Sequence, residues 1–313
     1  MTNHHLSQPK VFIIILTWNR VHAVINCLIS LNSLKYENFE VLVVDNASED
    51  GTVQKLREIF PKLEIIVNER NLGYTGGNNV GIRHALQKGA DYVLLLNNDS
   101  LVHPNLLTEL IAVANSDPII AVVGAKNLKA GNPRIIWAAW AKITYGPTLT
   151  TIYGANKLDS PKYCRIKDVE QVVGCGYMWR RKALEDIGLL DTNFFGYHED
   201  VDWCFRARKA GWRTVYVGTA IVYHQGSLSC SPFYKNYIPV MYFLGRNAIL
   251  FTRKHGNFLK LIKLLFNSII GSIRRCHHSR NKRIKNSFGA ELQFWQGVWD
   301  GFHNHNRQIS FHA

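Results

Sequence analysis

Residues 11–16 form an unbroken apolar run, as a strand buried on both faces requires. Apolar positions at helical spacing follow over 21–34. A second β-rich run over 39–44 ends in the turn-forming Asp45-Asn46-Ala47-Ser48. The alternation continues with a helix over 48–60 stopped by Pro61, a strand over 63–67, and a helix over 77–88 closed by Gly89. A strand over 92–96, a helix over 104–115 and a strand over 119–123 complete the series. Strands separated by helices predict right-handed βαβ units and a mostly parallel, twisted sheet with helices on both faces, an α/β fold. Ligands of such sheets bind beyond the carboxyl ends of the strands. Chemistry is therefore expected in the loops after Leu16, Val44 and Leu96.

The pattern weakens over 126–169, which is rich in Gly, Pro, Thr and Tyr and reads as an excursion across an open face. A strand over 170–179, short helices over 181–187 and 199–210, and a strand over 214–217 follow. After about Ser231 aromatic, aliphatic and basic residues dominate, dividing the chain into residues 1–230 and a helical, basic extension, 231–313.

Composition sharpens this division. An apolar share of 47% against 19% charged excludes a disordered or fibrous chain. Lys and Arg number 37 against 23 Asp and Glu, and sixteen of the cations fall between Trp203 and Ala290, where there is no acid. The remainder has 21 basic and 23 acidic residues, a net charge of −2. A near-neutral body with a basic C-terminal third implies an anionic partner: phospholipid headgroups, nucleotide phosphates or nucleic acid. No nucleic-acid-binding motif accompanies the charge, so nucleic acid is not expected. None of the six cysteines has CxxC spacing, and several lie in predicted strands or helices, which implies a reducing compartment. Residues 1–10 are polar, and no apolar run approaches the roughly 20 residues that span a bilayer. The expected location is the cytoplasm, with the tail raising peripheral attachment to the inner face of the cell membrane.

Each strand exit carries polar residues with two readings. Thr17-Trp18-Asn19 offers a hydroxyl, a flat ring and an amide, which suits a nucleoside or a polar turn, and it lacks the glycines of a dinucleotide-binding loop. Asp45 can accept from a base N–H or a ribose hydroxyl, while Ser48 or Asp50 caps the next helix. Asn71-Leu72-Gly73-Tyr74-Thr75-Gly76-Gly77-Asn78-Asn79 brings glycines and amides to a helix start, for a ligand or for a tight loop. Asn97-Asn98-Asp99 puts a carboxylate at a strand exit, where it can hold a divalent cation or make a turn.

The order of these pieces resembles the family 2 glycosyltransferases of the GT-A fold, in the bacterial rhamnosyltransferase-like subgroup. The resemblance continues in Gly174-Cys175-Gly176-Tyr177-Met178, in Gly188-Leu189-Leu190-Asp191, and in Phe194-Phe195-Gly196-Tyr197-His198-Glu199-Asp200-Val201-Asp202-Trp203. It covers roughly residues 10–230. It implies inverting transfer of a sugar from a nucleoside-diphosphate sugar to a glycan or lipid-linked acceptor in bacterial surface polysaccharide biosynthesis. By that resemblance Thr17, Trp18, Asn19, Asp45, Asn71, Gly73, Gly77, Asn78, Asn97 and Asn98 bind the nucleotide sugar. Asp99 is the acidic end of the metal motif for Mn²⁺ or Mg²⁺, and His224 completes the metal or diphosphate shell. Glu199 and Asp200 match the pair that supplies the general base, with Asp200 expected to be the base. The sequence departs at Asn97, where the family's motif has Asp, which weakens the expected metal dependence. Asn97 also supports the alternative of a non-catalytic GT-A-like protein that binds nucleotide sugar or glycan as a scaffold. A sugar-1-phosphate nucleotidyltransferase would need a Gly-rich signature after the first strand, and none is present.

The tail has its own pattern. At 100° per residue, 258–273 gathers Lys260, Lys263, Asn267, Ser268, Gly271 and Ser272 on about half the wheel. Leu259, Ile262, Phe266, Ile269, Ile270 and Ile273 oppose them, while Leu261 and Leu264 intrude on the polar side. Arg274, Arg275, Arg280, Lys282, Arg283 and Lys285 follow. An interfacial helix with a polybasic extension that contacts an anionic membrane has this pattern. So does a helix packed on the body with a solvated basic end.

Overall fold

The computed structural model describes residues 8–225, 237–281 and 287–303. Strands and helices alternate from the start: β1 (Val11–Thr17), α1 (Val21–Leu31), β2 (Phe39–Asp45), α2 (Thr52–Ile59), β3 (Glu64–Val67), α3 (Gly73–Gln87) and β4 (Tyr92–Asn97). Next come β5 (Ser100–Val102), α4 (Leu106–Ser116), β6 (Ile120–Lys129), β7 (Asn132–Ala138), β8 (Trp140–Gly146), β9 (Leu149–Ile152) and β10 (Ile166–Asp168). They are followed by β11 (Gln171–Val172), β12 (Gly176–Arg180), α5 (Arg181–Ile187), α6 (Glu199–Lys209) and β13 (Arg213–His224). Three helices end the described chain: α7 (Tyr237–His255), α8 (Phe258–Asn281) and α9 (Ser287–His303).

The main sheet runs β10-β13-β6-β12-β4-β1-β2-β3, with β5 and β7 added along β13 and β6. β3, β2, β1 and β4 are parallel, as are β6 and β13. β12 lies antiparallel between β4 and β6, so the sheet is mainly but not wholly parallel. The continuous apolar run of β1 now has its reason. Val11, Ile13 and Ile15 join one core with α1 and α4. Phe12 and Ile14 join another with Ile82, Trp179 and Trp203 on the opposite face.

Several predicted boundaries move. α2 begins at Thr52 rather than 48, because Asp45 Oδ1 accepts the Ser48 N–H at 2.8 Å and Asp50 Oδ1 the Thr52 N–H at 3.1 Å. Residues 45–50 are thereby held as a turn, and Ser48 does not cap the helix. α3 begins at Gly73, four residues before the predicted 77, so the glycines lie within its first turns. The predicted strand over 170–179 is two strands in two sheets, β11 and β12. The span 126–169 carries the end of β6 and all of β7 to β10, and β8 and β9 form a three-stranded sheet with β11. β13 runs twelve residues to His224, so that histidine ends a strand rather than following one.

The predicted boundary near Ser231, and Lys282, Arg283 and Lys285, lie outside the described residues. The C-terminal helices pack on the body. Met241, Ala248 and Phe251 of α7 and Phe294 and Val298 of α9 share a core with Phe194, Val201, Tyr145 and Leu149. α8 contributes Leu264 to that core, with Leu261 and Leu265 partly buried beside it. The leucines that intruded on the polar side of the wheel are thus the ones that pack. Among the described residues no helix is long and apolar enough to cross a membrane.

Candidate active site

Strand register assembles the first half of the site. Thr17 pairs with Asp45, Leu16 with Asn97, and Leu96 with Gly176, so the carboxyl ends of β1, β2 and β4 meet the start of β12 in one row. Asn98 Nδ2 donates to Thr17 Oγ1 at 3.1 Å. Asn19 takes a left-handed conformation, φ 50°. Its N–H donates to Ser48 Oγ and its Oδ1 accepts the Glu49 N–H, each at 2.8 Å, lacing the first two loops together. Trp18 is half-buried beside it. Asp45 is fully buried, and its Oδ2 has no hydrogen-bond partner among the described residues, an acceptor held at a strand exit. A cavity of about 330 Å³ opens here, lined by Asn19, Arg20, His22, Asn26, Asp50 and Gln225.

The metal-motif residues converge from two strands. β5 pairs with the end of β13, His224 opposite Ser100, and this register brings Asp99 to His224. His224 Nε2 lies 3.1 Å from Asp99 Oδ1 and 3.5 Å from Asn97 Nδ2. The Trp137 ring backs the imidazole at 4.4 Å. A carboxylate oxygen and an imidazole nitrogen on one point suit Mn²⁺, which accepts both donor types, better than Mg²⁺, which favours oxygen. No group of three or more His, Cys, Asp and Glu suited to a metal occurs among the described residues. Ligand oxygens would have to complete a shell.

The glycine-rich loop is closely packed. Gly73 has φ +73°, and a Cβ there would stand 2.5 Å from the Phe195 carbonyl oxygen. Thr75 N–H donates to that same oxygen at 3.1 Å. At Gly77 a Cβ would strike Leu16 and stand 2.9 Å from Asn46 Oδ1. Asn71 Oδ1 accepts from Gly73 N–H at 2.9 Å, and Asn78 Nδ2 donates to the Tyr74 carbonyl at 2.9 Å. Gly77 therefore seats α3 against β1 and Gly73 seats it against the loop that carries Phe195, while Asn78 bonds back within α3. All three are buried, with Gly77 against Leu16 and Asn46 at the strand exits and the Gly73 carbonyl accepting from Asn46 Nδ2 at 3.0 Å.

That loop leads into the acidic pair. Phe195, Tyr197 and His198 all have positive φ, between 43° and 67°, immediately before α6 begins at Glu199. Asn247 of α7, fully buried, holds the loop. Its Nδ2 lies 3.1, 2.7 and 2.8 Å from the carbonyl oxygens of Phe194, Gly196 and Tyr197. Burial pushes the His198 pKa down to about 4, so the ring is neutral and donates from Nε2 to the Thr148 carbonyl at 3.0 Å.

The two acids are not equivalent. Glu199 is buried, and its Oε2 has no hydrogen-bond partner among the described residues. Burial first, then the Asp200 charge, pushes its pKa well above the usual carboxylate range. Asp200 keeps partial exposure. Enough protein surrounds its carboxyl that desolvation pushes its pKa up to about 6, against hydrogen bonds from the Gln171 side chain and the backbone N–H groups of Val201 and Gly174. A carboxyl that is reachable and titrates near neutrality is what a general base requires. Tyr74 links the two halves. Its hydroxyl lies 3.4 Å from Asn97 Oδ1 and 3.2 Å from the Gly174 carbonyl, and it feels the charges of Glu199 and Asp200.

Sequence reading passed over Tyr74, Gln171, Trp137 and Asn247 as site residues. Tyr74 lies between Gly73 and Gly76, whose lack of a side chain is the stronger local signal. The other three carry no local signal, because strand pairing and helix docking alone bring them to the site.

The family model described as glycosyl transferase family 2 matches residues 12–188, and the chain belongs to that family. It is a glycosyltransferase with the mixed α/β, GT-A type of sheet expected from its sequence. The low-salt glycan biosynthesis hexosyltransferase Agl10 of Haloferax volcanii is 30% identical over 175 residues, 54% of this chain and 53% of that protein. This chain thus matches only about half the length of that relative. The dTDP-rhamnosyl transferase RfbF of Shigella flexneri is 25% identical over 308 residues, 94% of this chain and 98% of that one. The mannosyltransferase PcManGT of Pyrobaculum calidifontis, solved with GDP-Man and Mn²⁺, superposes with a TM-score of 0.62 at 14% identity, over 96% of this chain and 88% of that one. That similarity establishes the fold alone.

Proposed function

We propose that the protein transfers a sugar, with inversion, from a nucleoside-diphosphate sugar to a lipid-linked glycan acceptor during bacterial surface polysaccharide synthesis, working from the cytoplasmic face of the cell membrane. The observation that carries the reading is the Tyr74 bridge. Its hydroxyl reaches Asn97, which neighbours His224, and the carbonyl of Gly174, whose N–H bonds the Asp200 carboxyl.

Thr17, Asn19 and Asp45 hold the nucleoside at the strand exits, with the unpartnered Asp45 Oδ2 accepting from a base or ribose donor. Asp99 and His224 would hold a divalent cation against the diphosphate, where it supplies charge neutralisation for the leaving group. Asp200 takes the acceptor hydroxyl proton as the new C–O bond forms, and the sugar–diphosphate bond breaks with its electron pair on the nucleoside diphosphate. Burial and the Asp200 charge keep Glu199 inclined to stay protonated, so the negative charge of the pair rests on Asp200. The fully retained acid pair and the Asp99–His224 contact favour transfer over a non-catalytic scaffold.

A dTDP-rhamnose donor is the first to test, because the relative that aligns along nearly all of both chains carries that name. Calorimetric titration of UDP-, GDP- and dTDP-sugars, with and without Mn²⁺, is the experiment. Saturable binding of one nucleoside class, strengthened by Mn²⁺, supports the reading; no binding of any donor overturns it.

A further inference from the structure

α8 turns its aliphatic face away from the protein. Phe258, Leu259, Ile262, Phe266, Ile269 and Ile273 are all exposed, Leu259 by 72% and Phe266 by 62%. These six fall within about 100° of helix circumference. The opposite side is the one that docks, through Leu264, Ser268 and Gly271. α9 adds a second outward stripe of Phe288, Leu292 and Trp299, the last 62% exposed. The two helices are tied together where Arg275 pairs with Glu291 at 2.9 Å and Trp295 Nε1 donates to Ser272 Oγ at 3.1 Å.

An exposed stripe of this size on an otherwise well-packed protein has a partner. Its borders identify the chemistry. Lys263 and Arg274 stand exposed along the edge of the α8 stripe, and the sequence has no Asp or Glu from Trp203 to Ala290. An aliphatic stripe with a cationic margin complements the acyl–headgroup boundary of an anionic bilayer. A protein groove would be expected to meet some of those cations with acids of its own, and a second copy of this chain would oppose cation to cation.

We propose that the outer faces of α8 and α9 form a landing surface for an anionic lipid bilayer, seated directly behind the acceptor side of the active site. This rests on the lipid-linked acceptor proposed above and extends it to a docked orientation. The inner side of α8 holds the β8–β9 turn, with Asn267 Nδ2 donating to the Tyr145 carbonyl at 2.8 Å and Ser268 Oγ to the Pro147 carbonyl at 3.3 Å. The next carbonyl of that turn, Thr148, accepts from His198, which immediately precedes Glu199 and Asp200. One turn of chain therefore separates the landing helix from the acid pair. An acceptor anchored by its lipid would present its sugar end near the base without leaving the membrane.

The test is co-sedimentation of the full chain with vesicles of phosphatidylcholine alone or mixed with phosphatidylglycerol, at low and high salt. The wild type should pellet with the mixed vesicles at low salt, and much of it should be released at high salt. Combining Leu259→Ser, Ile262→Ser and Phe266→Ser should lower binding at least about tenfold with the fold and donor binding preserved, since these side chains are exposed and lie outside the core. Lys263→Gln with Arg274→Gln should lower it less and remove part of the salt dependence. Wild type remaining in the supernatant, or equal pelleting of the serine variant, overturns the proposal. So does a dimer in solution that the serine variant converts to monomer without any vesicle binding. Donor titration in the absence of lipid tests the transferase reading separately, so failure of one is not failure of the other.

Discussion

His224 Nε2 and Asp99 Oδ1 lie 3.1 Å apart at the ends of two antiparallel strands, β13 and β5. The proposed cation site is built on this contact. Asp99→Ala should weaken nucleoside-diphosphate binding by about 10- to 100-fold in Mn²⁺ and change it little in EDTA. His224→Ala should act in the same direction. Calorimetry with UDP, GDP and dTDP reads both, and equal wild-type affinities with and without metal would remove the basis for the site.

Asp200→Asn should leave donor binding nearly intact and lower kcat by about 100-fold or more. In the wild type, activity should rise with pH through an apparent pKa of about 6, because the base works only when deprotonated and burial raises its pKa to that value. A flat profile between pH 5 and 8, or full activity in Asp200→Asn together with loss in Glu199→Gln, would reassign the base.

The same burial costs stability. A carboxyl whose pKa is higher folded than unfolded favours the native state while it is protonated. That advantage disappears as pH rises from the unfolded value near 4 through about 6. Asp200→Asn should therefore stabilise the protein at pH 7.5 by about 1 kcal/mol or more, with little effect at pH 4. Thermal melts at both pH values check the sign, and destabilisation at pH 7.5 refutes it.

Asp202 behaves oppositely. Burial opposes its ionisation, but His255, Lys254 and Arg206, at 2.7 to 2.8 Å, outweigh burial and hold its pKa at about 2. This anchor between α6 and α7 adds stability that is present above about pH 4 and lost as pH falls toward 2. Asp202→Asn should lower stability at neutral pH by about 2 kcal/mol or more and flatten the acid limb of a pH–melting curve.

Asn247 holds the loop before α6, and under the proposed mechanism it is a positioning residue for the base. Asn247→Asp keeps the size but faces three carbonyl oxygens with a carboxylate. It should lower kcat by about tenfold or more with donor KM nearly unchanged, and shift the apparent pKa of the kcat profile. A proportional loss of folded protein, with normal kcat and profile in the remainder, would mean that the residue only stabilises the fold. Gly73→Ala tests the other side of the same loop, where a Cβ would stand 2.5 Å from the Phe195 oxygen at a left-handed φ.

The sequence by itself determined the alternating strand–helix order, the position of the strand exits and the acids that open α6. These depend on local periodicity and on residues that neighbour one another in the chain. It also carried the two-sided pattern of 258–273, because a helical wheel requires no tertiary information. Only the tertiary structure decided which side of that wheel faces out, since Leu261 and Leu264 pack and the fuller aliphatic side does not. It likewise decided that Gly73 and Gly77 serve close packing, that Asp200 is reachable where Glu199 is buried, and that Tyr74, Gln171 and Asn247 attend the acid pair. The physical reason is common to all of these. Burial, close approach and hydrogen-bond partners are properties of surfaces brought together by sheet register and helix docking, and spacing along one chain does not encode which surfaces meet.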